Sequence, residues 1–441
     1  MLPRSIDGLF LPLPPTGKVE LVALVQQGTP EEAWAERAFP ASQRVAYRLR
    51  ADIGPCPTTE ELLTRSDIHE ALKAHGVHAL FHAAVCTPGT HAWAARHRVR
   101  LWMVDFEEQR RLEDKIWFDA FLRRHRIPAP AGAAITLRGR METALPFRGR
   151  AVIQARDSVG GEGTYFVDGP SSAAALVDAG ALRLGERYLV RRYVDGDAYG
   201  ITVFVAPGRV ALSAIRRQCY YPPSGGAPSS RVFAGIQWVP SRALSPRLRG
   251  GIDRVFLRLG DLLYERRTFG LANFDFMVDA AERVLVIECN PRMSAATPQL
   301  LHFPELLSGG GVGDAFVEGF VHRRAFTRSP ARTRVPDTTY EGATLDVVAP
   351  PGGPSVVTHA FENGLYRRRA DRPFEYVTPD VRQLHGRSDL CVISLARRGQ
   401  VCQPADTLAE VLSNAPLYGA RGEMTAFGRR VSSLFGRVTR A

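Results

Sequence analysis

Two apolar runs joined by a short turn, FDFMVDAAERVLVIECNPR, constrain this chain more than any other segment. Each run is long enough for one strand, and the Ala-Ala-Glu linker is short enough to fold them into an antiparallel hairpin. Polar groups interrupt the apolar alternation at a few places. Glu288 and Asn290 are two residues apart and therefore project from one strand face, and a hairpin partner can bring Asp275 beside them. Two carboxylates and an amide oxygen on one face form a hard-oxygen site of the kind Mg²⁺ prefers when phosphates complete its octahedron. Surface carboxylates at a hairpin end are the competing reading, and the apolar neighbours Phe274, Phe276, Val286 and Ile287 weigh against it.

The rest of the chain reads as a folded protein of two or three lobes. Its 441 residues are 45% hydrophobic and 23% charged, too long for one ordinary core and too apolar for disorder. The first ~110 residues alternate short apolar runs (Val19–Val25, His78–Val85) with a helical stretch from Thr58 to His75, the pattern of a small α/β lobe with parallel strands. A helix is expected over Asp114–Arg126, ending before Ile127-Pro128, and a long amphipathic one over Pro246–Thr268. Between them, AVIQA, TYFV, RYLVRRYV, ITVFVAP and RVALSAI read as an antiparallel sheet region, and Gly225–Ser230 as a loop. Beyond residue 325 a basic, Pro-rich joint leads to strands such as LCVISLA and a helix expected at Ala405–Leu412.

The formal charge of +12 suits anionic ligands. The arginines are scattered and no long basic block exists, so a small anion such as ATP is favoured over nucleic acid. Six dispersed cysteines without a CxxC fit a reducing compartment. The absence of an 18-residue apolar run or a signal-like leader points to a cytoplasmic protein with no membrane partner. His75, His78, His82 and His91 lie near one another in sequence without a carboxylate or cysteine at ligand spacing, and are read as helix-end or core residues.

A glycine-rich hairpin, Ser158-Val159-Gly160-Gly161-Glu162-Gly163-Thr164, can bring backbone N–H groups close to phosphate oxygens and close over a nucleotide. A flexible surface turn is the plainer reading of that segment alone.

Together, VLVIECNPR, the loop upstream of it, and EDKIWFDAFLRRHRIPAP resemble the ATP-grasp superfamily. The resemblance spans about residues 15–320. It implies an α/β (α+β) ATP-grasp fold with an N-terminal pre-ATP-grasp lobe (residues 1–110), an ATP-grasp domain (111–325, lid about 145–200) and a C-terminal lobe or extension (326–441). It implies Asp275, Glu288 and Asn290 as ligands for Mg²⁺, with Mn²⁺ as a substitute. Lys115 is then a phosphate contact, and Arg292 a cation facing the reacting phosphate or substrate carboxylate. Gly160, Gly161 and Gly163 would cover the phosphates, and Arg192, Tyr193 and Val194 would lie along the nucleotide.

Three positions depart from the family pattern. Gln154 stands where a lysine is usual, with Arg156 expected to supply the missing cation. The linker strand carries Arg191 in place of its acidic residue, leaving Asp195 or Asp197 for the ribose. Asn273 replaces an arginine. The implied activity is that of an ATP-dependent carboxylate–amine ligase acting through an acyl phosphate on amino-acid or peptide substrates, in a chain free to be a homodimer. A biotin carboxylase-like enzyme and a non-catalytic nucleotide-binding regulator are the alternatives.

Overall fold

A computed structural model describes residues 23–26, 36, 44–47, 59–77, 79–80, 87–101, 104–138, 148–157, 163–221, 232–311, 326–368, 374–379, 383–387 and 389–440. Near the N-terminus, β1 (Ala23–Gln26) pairs in parallel with β2 (Arg44–Tyr47). Two short strands, β3 (Ala79–Leu80) and β4 (Arg100–Leu101), pair in the same sense. Around them lie α1 (Thr59–Leu63), α2 (Ser66–Ala74) and α3 (Pro88–His97), which pack through Leu62, Leu63, Ile68, Leu72 and Trp93. The parallel pairing matches the sequence expectation. The single helix expected over 58–75 is two helices, because Arg65 adopts an extended conformation and caps a second start at Ser66.

Next come α4 (Phe106–Glu113) and α5 (Lys115–Arg124). Asp114 separates them and caps α5, its Oδ1 accepting from the N–H groups of Ile116 (2.9 Å) and Trp117 (3.0 Å); such a cap satisfies donors that the first turn leaves open. A four-stranded antiparallel sheet follows, ordered β5-β8-β6-β7 from β5 (Gly132–Thr136), β6 (Ala151–Ala155), β7 (Thr164–Val167) and β8 (Arg187–Arg192), with α6 (Pro170–Asp178) against it.

The largest sheet carries the remaining architecture. Its first part comprises β9 (Gly196–Ala206), β10 (Arg209–Leu212), β11 (Arg216–Tyr220), β12 (Phe233–Trp238), β13 (Gly270–Asp279) and β14 (Val284–Asn290). The amphipathic α7 (Pro246–Glu265) covers one face, and Phe118 of α5, Phe256 of α7, Phe274 and Phe276 interlock there. A short α8 (Thr297–His302) follows β14.

C-terminal strands extend this sheet. They are β15 (Ala331–Thr333), β16 (Ala343–Val348), β18 (Gly364–Arg367), β19 (Glu375–Thr378), β20 (Asp389–Ser394) and β22 (Thr407–Ser413). The path runs β14-β13-β9-β11-β12-β16-β22-β20-β18-β19, with β10 and β15 branching from β9. A separate three-stranded sheet is formed by β21 (Val401–Cys402), β17 (Ser355–Val357) and β23 (Val438–Arg440), the last of which follows α9 (Ala426–Phe435).

The helix expected at Ala405–Leu412 is instead strand β22, paired on both sides with β16 and β20. TLAEVLS has the composition of a helix. Burial of Leu408, Ala409, Val411 and Leu412 between two ladders overrides that propensity. The Gly225–Ser230 loop lies outside the described residues. Among the described residues, no helix is long and apolar enough to cross a membrane.

Candidate active site

Alternation along β13 sends Phe274 and Phe276 into the core beneath α7 and Asn273, Asp275 and Met277 to the opposite face. That face forms the floor of a cleft of about 550 Å³, roofed by the four-stranded sheet. In the β13–β14 ladder Asp275 stands opposite Glu288 and Asn273 opposite Asn290, and the register shifts by a bulge just after Asp275. The hairpin therefore brings Asp275, Glu288 and Asn290 together.

Their electrostatics are those of acidic groups held close together in a cleft. Burial first, then the facing charge and hydrogen bond of Glu288, push Asp275 up to about 8 against the opposing effects of Arg216 and Gln218. Glu288 accepts from Asn290 Nδ2 (3.2 Å) and lies 3.5 Å from Lys115 Nζ. Two carboxylates this close share a proton unless a cation neutralises them. The donor set, two carboxylates and one amide oxygen, fits a magnesium-sized ion whose remaining positions go to phosphate and water. No group of three or more His, Cys, Asp or Glu side chains able to hold a metal occurs among the described residues; the donors here are two carboxylates and the Asn290 amide.

Lys115 is the first residue of α5 and is only 5% exposed, so the cap at Asp114 fixes where its ammonium enters the cleft. Arg292 follows the strand end. Its Nε donates to Glu113 Oε1 (2.8 Å) and a terminal nitrogen to Asn290 Oδ1 (3.2 Å), so α4 and β14 both aim it. Gln154, Arg192, Tyr193 and Val194 line the cleft together with Val152, Phe166 and Ile287. The Arg150 guanidinium lies 3.9 Å from the Tyr193 ring centroid, supporting the edge of this apolar shelf.

Other expected contacts fall elsewhere. Arg156 does not line the cleft. Its Nε donates to Asp114 Oδ2 at 2.7 Å and its side chain is 57% exposed, so it ties the root of β6 to the start of α5. Asp197 pairs with Arg217 (2.7 Å) and likewise stays outside the cleft lining, as does Asp195. Gly163 has φ 64° and closes the turn into β7; Gly160 and Gly161 lie outside the described residues. His91 Nε2 accepts from the Phe106 N–H (3.1 Å) and His75 caps α2, structural roles as expected; His78 and His82 lie outside the described residues.

Sequence reasoning missed what two buried arginines do. Arg191, 2% exposed, reaches from β8 to Asp119 Oδ1 of α5 (Nε 3.1 Å, a terminal nitrogen 2.9 Å) and to the Ile287 carbonyl (2.7 Å). It locks roof to floor where an acidic residue was expected. Arg216, 3% exposed, donates to Thr202 Oγ1 (3.0 Å) and Asn273 Oδ1 (3.2 Å), and burial lowers it to about 10 despite the nearby Asp275. It restores a cation in three dimensions near Asn273, where the resemblance implied one in sequence. The one available signal was Gly200, opposite Arg216 on β9: a Cβ there would lie 2.8 Å from Arg216 Nε.

With this geometry in place, comparison with known proteins is informative only at the level of structure. No protein-family model and no curated protein matches the sequence. Among solved structures, a biotin carboxylase complex from Campylobacter jejuni matches at a TM-score of 0.57 and 14% identity, over 89% of this chain and 81% of that one. The biotin carboxylase domain of a 2-oxoglutarate carboxylase from Hydrogenobacter thermophilus, a dimer with Mg-ADP, ADP and bicarbonate, matches at 0.58 and 13%, over 90% and 81%. An L-amino acid ligase from Bacillus licheniformis matches at 0.52 and 12%, over 90% and 87%. The chain has the ATP-grasp fold.

Proposed function

We propose that this protein is an ADP-forming carboxylate–amine ligase that uses Mg-ATP. The observation that carries the reading is the convergence of Asp275, Glu288 and Asn290 with Lys115 and Arg292 at one end of a single cleft. A magnesium ion held by the first three would neutralise phosphate charge and orient the transferred group. The chain's own residues do the rest. Val152, Phe166, Tyr193, Val194 and Ile287 offer an apolar slot for a base, and Gln154 and Arg192 offer polar contacts at its edges. The buried ammonium of Lys115 and the guanidinium of Arg292 counter charge on the phosphates, an effect strengthened by exclusion of water.

The reaction has two displacements. A substrate carboxylate oxygen attacks the γ-phosphorus and ADP leaves; the amine nitrogen then attacks the acyl carbon, phosphate leaves and the nitrogen loses a proton. Phosphoryl transfer of this kind needs alignment and charge neutralisation more than covalent help from the protein. The similarity to an amino acid ligase over most of both chains supports amino acids or peptides as substrates. ATP, amino-acid substrates and a homodimeric assembly are part of this reading.

The test is release of ADP and phosphate from Mg-ATP over a panel of amino acids paired with amines. Glu288→Gln should retain the fold and lose at least about 100-fold in turnover, since it removes one of two carboxylates from the cation site. Near wild-type turnover in that variant overturns the assignment. Product formation that requires bicarbonate and a biotinyl acceptor would move the protein to the carboxylase class.

A further inference from the structure

At the phosphate end of the cleft, one buried amide uses its full bonding capacity. Asn273, 2% exposed, sits on β13 opposite Thr202 of β9 and opposite Asn290 of β14. Its Oδ1 accepts from Thr202 Oγ1 (2.6 Å) and from a terminal nitrogen of Arg216 (3.2 Å). Its Nδ2 donates to the backbone carbonyls of Asn290 (3.4 Å) and Arg292. A carboxamide has two acceptor lone pairs and two N–H donors, and all four are used here. Donors flank one end and carbonyls the other, so only one orientation of the amide satisfies the site.

Each side of this amide fixes one arginine. Arg216 starts on β11, two strands from β13, and its guanidinium crosses β9 over Gly200, where a Cβ would come within 2.8 Å of Nε. Its bond to Thr202 Oγ1 (3.0 Å), like that to Asn273, goes to an uncharged oxygen. A guanidinium enclosed to this degree is costly unless a negative group answers it. Asp275, whose charge acts on it, belongs to the donor set for the metal, and the side left to Arg216 is the cleft that it lines. Arg292 is fixed through its backbone. The Asn273 amide grips the carbonyls of residues 290 and 292, the Arg292 N–H donates to the Asn290 carbonyl (2.8 Å), and the guanidinium then reaches Asn290 Oδ1 and Glu113.

We propose that Asn273 is a positioning residue. By holding Arg216 with its oxygen and the 290–292 segment with its nitrogen, it sets two guanidinium groups against one anion in the cleft, the terminal phosphoryl group of the nucleotide. This inference deepens the ligase reading and rests on it. Asn273 acts through the two arginines, its own polar atoms being occupied by protein partners. The residue type follows from the geometry. Aspartate would set an oxygen against the two carbonyls, leucine of similar volume would bond to neither side, and a longer glutamine would displace one of them.

The experiment compares equilibrium binding of Mg-ADP with that of the magnesium complex of a non-hydrolysable ATP analogue, on the full chain. Wild type should prefer the analogue, because the added phosphoryl group meets both arginines. Asn273→Leu should reduce the ratio of the two dissociation constants by about 10-fold or more, the range of a charge-assisted bond. A role in folding alone would weaken both nucleotides together and leave the ratio where it was. Asn273→Asp keeps the volume and sets a counter-charge on Arg216; it should reduce the ratio too, and gives the reading if the first variant does not fold. Arg216→Met should also lower the ratio, and the double variant Arg216→Met/Asn273→Leu should lose less than the two single losses combined, since Asn273 acts partly through Arg216. Wild type without a preference for the analogue, an undiminished ratio in the Asn273 variants, or fully independent losses in the double variant overturns the proposal. ADP release on the same samples separates the two claims. A ratio that depends on Asn273 in a protein that releases no ADP with any amino-acid pair would sink the ligase reading and keep the positioning role. ADP release with a ratio indifferent to Asn273 would do the reverse.

Discussion

At the scale of single residues, the roof of the cleft depends on Arg191. Its guanidinium is fully enclosed and shares Asp119 with Arg123, whose Nε is 2.7 Å from the second carboxylate oxygen. Arg191→Met keeps the volume and deletes the charge, leaving Asp119 with one exposed partner and removing the bond to the Ile287 carbonyl. The expected loss is about 2–4 kcal/mol by chemical denaturation, and Asp119→Asn in the same background should recover part of it, because removing both charges removes the unpaired one. Losses that simply add would show that Arg191 acts by packing alone. Gly200 is the complementary case. A methyl there meets the Arg216 guanidinium, so Gly200→Ala should turn Arg216 away from Asn273 and reduce kcat/KM for ATP by about tenfold or more, read in steady-state kinetics once a substrate pair is known, with Tm changed little. The triad residues were legible because their spacing is a local property: 288 and 290 share a face by the geometry of any strand. Arg191 and Arg216 were not, since their partners lie far away in sequence and only strand order brings them together.

Elements follow the same division. Helices α5 and α7 were readable from apolar periodicity, α5 also from the Ile127-Pro128 stop, and the hairpin of β13 and β14 from its turn. Strand β22 was misread as a helix because its partners, β16 and β20, supply the decisive burial and leave no mark inside TLAEVLS. Pairings in this C-terminal region are held by polar groups as well as apolar ones. In the β18–β20 ladder Arg367 stands opposite Asp389, its Nε donating at 2.8 Å, and the Gly386 N–H adds a bond at 3.0 Å. Burial opposes the charged form of Asp389, but these donors outweigh it and hold the carboxyl below its usual range. A depressed carboxylate stabilises the fold above its unfolded value near 3.9, and that contribution is lost as pH falls through the folded value. Asp389→Asn should therefore lower Tm at pH 7 by an amount corresponding to about 1–2 kcal/mol, with the gap from wild type narrowing below pH 4. A gap independent of pH would mean that Asp389 contributes shape and not charge.

For the molecule as a whole, the sheet is continuous from β14 to β19 and the cleft lining runs from Asp275 on β13 to Asp346 on β16, so an unfavourable charge at either end bears on the stability of one folded unit. Asp346 has that character. Its folded value is about 7, raised first by burial and then by Glu410, against about 3.9 for an unfolded aspartate. Between these values the folded state binds the proton more tightly than the unfolded chain, so stability falls as pH rises from about 4 to 7 and stays reduced above it. Asp346→Asn removes this penalty. The variant should match wild type near pH 4.5 and exceed it by roughly 1–3 kcal/mol at pH 8, measured as Tm or denaturation midpoint across that range. A residue kept only for structure would behave in the opposite way, with substitution costing stability at every pH. A variant less stable than wild type at pH 8 would show that the Asp346 carboxylate is held there by favourable contacts that outweigh its burial and the facing charge of Glu410.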